Sequence, residues 1–254
     1  MTISEYQKKC FADYKTSIEY PEHYKYLYGN PINVLVPVET PINKIMIVGA
    51  YPSAKFFTVN GISDTPLYDN DSPFSSETYF DGSRPRTIPS GKELNDVILK
   101  EIGINREDCW ITDLVKVFLF KEGHVERYKK LDEMRYAMLE ENRSKFKCYA
   151  KKSITWLEME IEIAKPYAII LLGLEVTSIL HDGIGESKAK SYMDGNARKL
   201  TVGAQHVNSI SLPHPGILMK KSEHNPWPAE FENVIAPRAK ETLTKLLENA
   251  NHIV

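Results

Sequence analysis

Four short β-branched runs, each closed by a glycine or a turn and separated from the next by a helical pattern, constrain this chain more than any other feature. They are Lys44-Ile45-Met46-Ile47-Val48 before Gly49, Cys109-Trp110-Ile111-Thr112, Ala168-Ile169-Ile170-Leu171-Leu172 before Gly173, and Val207 to Leu212. Apolar runs of this length read as strands buried on both faces. Between them, apolar positions at helical spacing cover Gly91 to Ile102, Asp132 to Ala164, Glu175 to His181 and Pro237 to Ala250, with a further helix over Ser4 to Glu19. Strands alternating with helices predict a single three-layer α/β/α domain over 1–254 around a central, mainly parallel four-stranded sheet. Residues 1–43 read as an N-terminal helix and an aromatic loop packed on that domain. The stretch Phe56 to Ser90, rich in Gly, Pro, Ser and Asp, shows no period and reads as a long functional or mobile loop.

Composition excludes several classes. No apolar run approaches the roughly 20 residues that span a bilayer, and Met1 to Lys9 is polar, so no membrane partner and a cytoplasmic location are expected. Cys10, Cys109 and Cys148 are scattered and lack paired spacing, so neither a metal, a metal cluster, a disulfide nor a cofactor is expected, and the chain is read as a monomer. A formal charge of −2 is not that of a protein that coats nucleic acid by counterion release. It leaves room for a local basic patch that grips a few phosphates around one extruded nucleotide.

In open parallel sheets, ligands sit beyond the carboxyl ends of the strands. Three sharp loops lie there: Gly49-Ala50-Tyr51-Pro52-Ser53, Asp113-Leu114-Val115-Lys116 and Pro213-His214-Pro215-Gly216. In order along the chain, Ile45 to Ser53, Ser90-Gly91-Lys92-Glu93-Leu94, Ile102-Gly103-Ile104, Cys109 to Lys116, Lys165 to Gly173 and Leu212 to Gly216 resemble the uracil-DNA glycosylase superfamily, over about Lys44 to Lys220. The resemblance implies an enzyme that flips a base out of DNA and hydrolyses its N-glycosidic bond, leaving an abasic site. It puts base-contacting and water-activating positions on the Gly49 loop at Ala50, Tyr51 and Ser53, the residue that reads the base edge at Asp113, and a histidine beside the leaving base at His214. It also puts an aromatic that stacks on the base at Phe80, with Phe74 or a core role for Phe80 as alternatives. Ser90, Lys92, Lys116, Gly216 and Lys220 are expected against DNA, with Lys221 beside them. Arg84 and Arg86 would bind phosphate or a polar substituent, or point to solvent. Ile217, Leu218 and Met219 would wedge into the gap left by the flipped nucleotide, or start a buried helix.

The chain departs from the family at Ala50 and Tyr51, at Ser53 and at Asp113. Ala50 and Tyr51 hold the two places in one of which uracil-directed relatives carry Asp, Asn or Glu to position water; either another residue takes that task, with Asp64, Asp69, Asp71, Glu77 and Asp81 available in the following loop, or the first loop contributes only backbone donors. Ser53 replaces a tyrosine that blocks the pyrimidine 5-position in the most uracil-selective relatives. Asp113 replaces the base-reading asparagine. An ionised aspartate only accepts hydrogen bonds; it faces uracil O4 at a cost of about 1 to 3 kcal/mol, whereas cytosine offers it the N4 amino group. A protonated Asp113 would need its pKa raised by about 3 units. Asp113 as water activator, or as a strand-end residue satisfying backbone amides, remain open at this point. The expected substrate is a cytosine-type base with a 5-substituent, hydroxymethylated or glucosylated, as in modified bacteriophage DNA, with a role in anti-phage defence. The alternatives are uracil removal in base-excision repair, and a nucleic-acid-binding module without catalysis. An unrelated α/β enzyme is a weaker reading, since no P-loop or dinucleotide-binding glycine fingerprint is present.

Overall fold

The computed structural model describes residues 1–25, 29, 31–52, 56–59, 62–66, 72–75, 78–80, 85–87, 89–131, 138–220 and 222–251; for 56–59, 62–66, 78–80, 85–87, 89, 127, 131 and 251 it describes the backbone alone. In chain order the elements begin with helix α1 (Ile3–Ser17), strand β1 (Ile45–Gly49) and two pairs of short strands, β2 (Phe56–Val59) with β3 (Ile62–Pro66) and β4 (Thr78–Phe80) with β5 (Pro85–Thr87). Helix α2 (Pro89–Glu93) runs through a π-helical segment, Leu94–Leu99, into α3 (Lys100–Ile102). Then come β6 (Cys109–Asp113), α4 (Glu122–Leu131), α5 (Phe146–Ala164), β7 (Ala168–Leu172), α6 (Leu174–Leu180), α7 (Glu186–Tyr192), β8 (Ala197–Val202) and β9 (Gln205–Leu212). The short helices α8 (Pro215–Leu218) and α9 (Trp227–Glu230) lead through a second π-helical segment, Phe231–Ile235, into α10 (Ala236–Asn251).

The central sheet has five strands in the order β6-β1-β7-β9-β8. The four strands expected from the sequence are its parallel part; β8, not anticipated, pairs antiparallel with β9 as an edge strand. Its pattern is only half apolar because one side faces water, which hides it from a search for continuous apolar runs. Along the parallel strands successive side chains enter opposite cores. Met46, Val48, Trp110, Ile169 and Leu171 pack with α1 and α5, while Ile45, Ile47, Ile111, Ile170 and Leu172 pack with the α2–α3 helix and α10. The three-layer expectation therefore holds.

Two other expectations need correction. The helix read over Asp132 to Ala164 begins at Phe146; Met138 pairs as a bridge with Lys25, and a short 3₁₀ turn, Arg143–Lys145, precedes α5. The stretch read as one irregular loop contains the strand pairs β2–β3 and β4–β5. Helix α1 starts on a capping box: the Thr2 hydroxyl accepts from the Glu5 amide at 3.2 Å and the Glu5 carboxylate accepts from the Thr2 amide at 2.7 Å. Its buried Tyr6, Cys10 and Tyr14, four residues apart, form one stripe against the sheet. That stripe reaches the underside of the loop after β6.

Candidate active site

The carboxyl ends of β1, β6, β7 and β9 open into a cavity of about 300 Å³, the low end of the range for ligand sites. Leu35, Ala50, Tyr51, Pro52, Phe74, Ser90, Glu93, Asp113, Glu175 and His214 line it. Backbone bonds lock the first two loops together: the Leu114 amide donates to Gly49 O at 2.9 Å and the Val115 amide to Ala50 O at 3.0 Å.

Asp113 forms the floor. It is 3% exposed, and its Oδ1 has no hydrogen-bond partner among the described residues. Gly49 makes this placement feasible, because a Cβ there would lie 2.1 Å from Asp113 Oδ1 and 2.6 Å from the Phe74 ring. Burial pushes the Asp113 carboxyl up to about 7; Lys116 pulls it down and Glu160 pushes it further up. The cost that weighed against a protonated Asp113 is thus met by the fold itself.

Beneath the floor, Lys116 and Glu160 form a sealed pair, 1% and 0% exposed, with Nζ 2.5 Å from Oε1. Lys116 also donates to Thr112 Oγ1 at 2.7 Å and to the Asp113 carbonyl at 3.1 Å. Glu160 accepts from Trp110 Nε1 at 3.1 Å, from Thr112 Oγ1 at 3.2 Å and from the Tyr6 hydroxyl. The expectation that Lys116 meets a phosphate is corrected: its ammonium faces the protein interior. A lysine read as a surface contact from its loop position is in fact a strut for the loop.

The walls carry the aromatic and the histidine. Phe74, in the left-handed backbone region at φ 49°, lines the cavity against Gly49. Its segment is tied to α2 by the Gly91 amide donating to Ser75 O at 2.8 Å; a Cβ at Gly91 would stand 2.4 Å from that oxygen. Phe74, the alternative to Phe80, lines the site, and Tyr51 is the other aromatic there among the described residues. The side chains of Phe80 and Arg86, and the whole of Ser53, Arg84 and Lys221, lie outside the described residues, as do the side chains of Asp64, Asp69, Asp71, Glu77 and Asp81. His214 is exposed at the rim, and its Nδ1 accepts from the Gly216 amide at 3.0 Å. That bond leaves the proton of the neutral ring on Nε2, as a donor.

Ser90 lines the cavity, while Lys92 and Lys220 are exposed outside it and Gly216 and Ile217 are half-buried. Leu218 is 6% exposed and packs in the core below α8, so its reading as a DNA-contacting wedge is corrected; Met219, 54% exposed, is the projecting apolar side chain of that loop. Behind His214 a second, apolar cavity of about 240 Å³ is walled by Leu172, Met193, Ile217 and Trp227, and Ala50, Glu175 and His214 line both.

Tyr51 stands, with Ala50, at the two positions where the resemblance leads one to expect a carboxylate. Its hydroxyl accepts from Arg143 Nε at 2.6 Å, and the guanidinium carbon stands 4.9 Å from the Tyr51 ring and 5.0 Å from the Phe146 ring. Burial pushes the Tyr51 phenol up, against the pull of Arg143. Arg143 Nη2 lies 2.5 Å from both oxygens of Glu175. Arg143, Glu175, Glu93 and Leu35 were not singled out from the sequence. The signal for Glu175 was its position, two residues beyond the glycine that ends a buried parallel strand.

The model of the uracil DNA glycosylase superfamily matches residues 38–235, spanning every loop just described. The chain belongs to that superfamily. Uracil-DNA glycosylase superfamily members are generally DNA glycosylases, hydrolases that act on DNA. No curated protein matches the chain significantly. Among the described residues no helix is long and apolar enough to cross a membrane, and no group of three His, Cys, Asp or Glu side chains is arranged to hold a metal ion.

Proposed function

We propose that this superfamily member flips a cytosine-type base carrying a 5-substituent out of DNA and hydrolyses its N-glycosidic bond. The observation that carries this reading is the buried Asp113 carboxyl on the cavity floor with Oδ1 unpartnered among the described residues. A buried acceptor left unmatched costs about 1 to 3 kcal/mol, so the floor favours a ligand that brings a donor. The N4 amino group of cytosine is such a donor, and either protonation state of Asp113 accepts from it.

The raised pKa adds a second function. A carboxylic acid on the floor accepts from N4–H with one oxygen and offers its O–H to cytosine N3 with the other. Passing that proton to N3 places positive charge on a base that otherwise leaves poorly, while His214 Nε2–H donates to the base O2. Phe74 supplies the stacking face. The charged and titratable groups around Asp113 are Lys116 and Glu160 beneath it, and Tyr51, Glu93, Glu175 and His214 around the cavity.

The same proton supports a second reading, uracil removal, because a protonated Asp113 donates to uracil O4. The two part with pH. Above pH 7 the ionised floor still accepts from N4 of cytosine but repels O4 of uracil. Binding to duplexes carrying a non-hydrolysable 2′-fluoro nucleotide is therefore expected to persist for cytosine-type bases and to fall for uracil.

The decisive measurement is incubation with duplexes carrying cytosine, 5-hydroxymethylcytosine, its glucosylated form or uracil, with released bases identified by mass spectrometry. Release from the 5-substituted duplexes supports the proposal and, with it, a role against phages whose DNA carries such bases. Uracil release alone overturns it in favour of repair. If alkali reveals no abasic site in any duplex, the chain is a binding module.

A further inference from the structure

The first loop holds no carboxylate, yet hydrolysis of an N-glycosidic bond requires a water held against C1′. Depth in the cavity locates where that water must be. A pyrimidine that reaches Asp113, 3% exposed, with its Watson–Crick edge carries its glycosidic bond toward the opposite side, at the mouth. On the solvent side stand His214, exposed at the rim, and the half-exposed Glu175, which with Ala50 are the three residues that line both cavities. Glu175 is the carboxylate among them, with its side chain 48% exposed.

Resting on the glycosylase reading above, we infer that Glu175 is the residue that holds and deprotonates the attacking water, and that Arg143 is the positioning residue that aims it. The fold fixes both partners. Glu175 sits in the first turn of α6, directly beyond β7, and Arg143 is anchored by its amide donating to Phe120 O at 3.2 Å. The guanidinium packs over both the Tyr51 and the Phe146 ring, whose centroids stand 5.5 Å apart, so its approach to the carboxylate is set by packing. Arg143 Nη2 occupies one site on each carboxylate oxygen and leaves others for water. Glu93, a further carboxylate on the cavity wall, stands on α2 and does not line the apolar cavity behind His214.

The step balances without a further reactant. The C1′–N1 bond breaks with its electron pair leaving on the base. The water oxygen forms the new bond to C1′, and the water proton passes to Glu175 and on to solvent. A cytosine-type base departs with the proton that Asp113 passed to N3, which Asp113 regains from solvent; uracil departs as its anion and takes a proton from solvent; the sugar keeps a hydroxyl at C1′. The carboxylate also faces the positive charge that develops on the sugar.

Single-turnover rates on duplexes carrying 5-hydroxymethylcytosine or uracil test the assignment. Glu175→Ala is expected to slow release about 10²-fold while affinity for the matching 2′-fluoro duplex stays within about threefold, and sodium formate is expected to restore at least about tenfold. Glu175→Gln, which keeps the side-chain volume, should show the same loss. If wild type releases neither base above background, the glycosylase reading and this role fall together. If wild type is active while Glu175→Ala stays within threefold of it, is slow without formate rescue, or is less impaired than Glu93→Ala, the role falls and the glycosylase reading stands.

Discussion

Two carboxylate–cation pairs flank the same cavity, one below its floor and one at its mouth. Lys116–Glu160 is sealed, with both side chains at most 1% exposed, and Glu160 collects four donors. Arg143–Glu175 is half in water, at 23% and 48% exposure, and rests on two aromatic rings. Burial separates what the two can do. A sealed pair is costly to halve because the survivor is an unmatched charge in a low-dielectric interior. An exposed pair contributes little to stability, so its value lies in where it points a carboxylate.

Halving the sealed pair is expected to have the largest effect. Glu160→Ala should lower the unfolding free energy by about 3 to 5 kcal/mol in urea denaturation, whereas Lys116→Met combined with Glu160→Leu should recover the part due to the stranded lysine charge but not that due to the Tyr6, Trp110 and Thr112 donors. A single variant that loses under 1 kcal/mol would show that water reaches the pair, and the contrast between floor and mouth would collapse.

That pair also marks where the sequence stopped being readable. The parallel strands and their order of use were legible because a strand buried on both faces must be apolar throughout, as in Ile45 to Val48 and Ala168 to Leu172. The loops at their ends followed, and with them Asp113 and His214. Lys116 was legible as a charge but not as a buried one, since its partner Glu160 lies forty-four positions away on a helix whose pattern gives no hint of a buried acid. Glu175 and Arg143 escaped for the same reason: their pairing joins α6 to a short 3₁₀ turn that carries no periodicity. β8 escaped because an edge strand is only half apolar, and Leu218 was misplaced because a four-residue helix is too short to show which face it buries.

At the mouth, His214→Ala is expected to cost the next largest amount, about 10² to 10³ in the rate of base release, or roughly 3 to 4 kcal/mol of transition-state stabilisation. Stability should barely change, since the ring is exposed at the rim. A parallel fall in melting temperature and rate would place His214 with the floor, as a structural residue.

Asp113→Asn probes the floor more gently. The folded carboxyl titrates near 7 against an ordinary value of 3.8, so folding takes up a proton between those values. Wild-type stability is then fully present below about pH 4 and declines as pH rises to about 7, while the asparagine variant has no such decline. The variant should be the more stable protein at pH 8, by on the order of 1 to 4 kcal/mol, with the difference fading toward pH 4. Its amide carries no proton that can pass to N3, so release of a cytosine-type base should fall while uracil release is kept or gained. Equal stability profiles for the two proteins would mean that the carboxyl is ionised and solvated in the folded state.

The smallest effect is expected where the two pairs differ most. Arg143→Gln removes the charge that aims Glu175, yet the pair is exposed enough that the melting curve should shift by less than about 1 kcal/mol. The rate of base release should nevertheless fall about tenfold, because a carboxylate displaced by even a fraction of an ångström holds water less well against C1′. The split between rate and binding separates this from general loosening. Affinity for the matching 2′-fluoro duplex should stay within about threefold while the rate falls, and Arg143→Gln made on top of Glu175→Ala should cost little further rate. If Arg143→Gln instead loses several kcal/mol of stability, or slows release as much in the Glu175→Ala background, the mouth pair is a structural brace like the one beneath the floor.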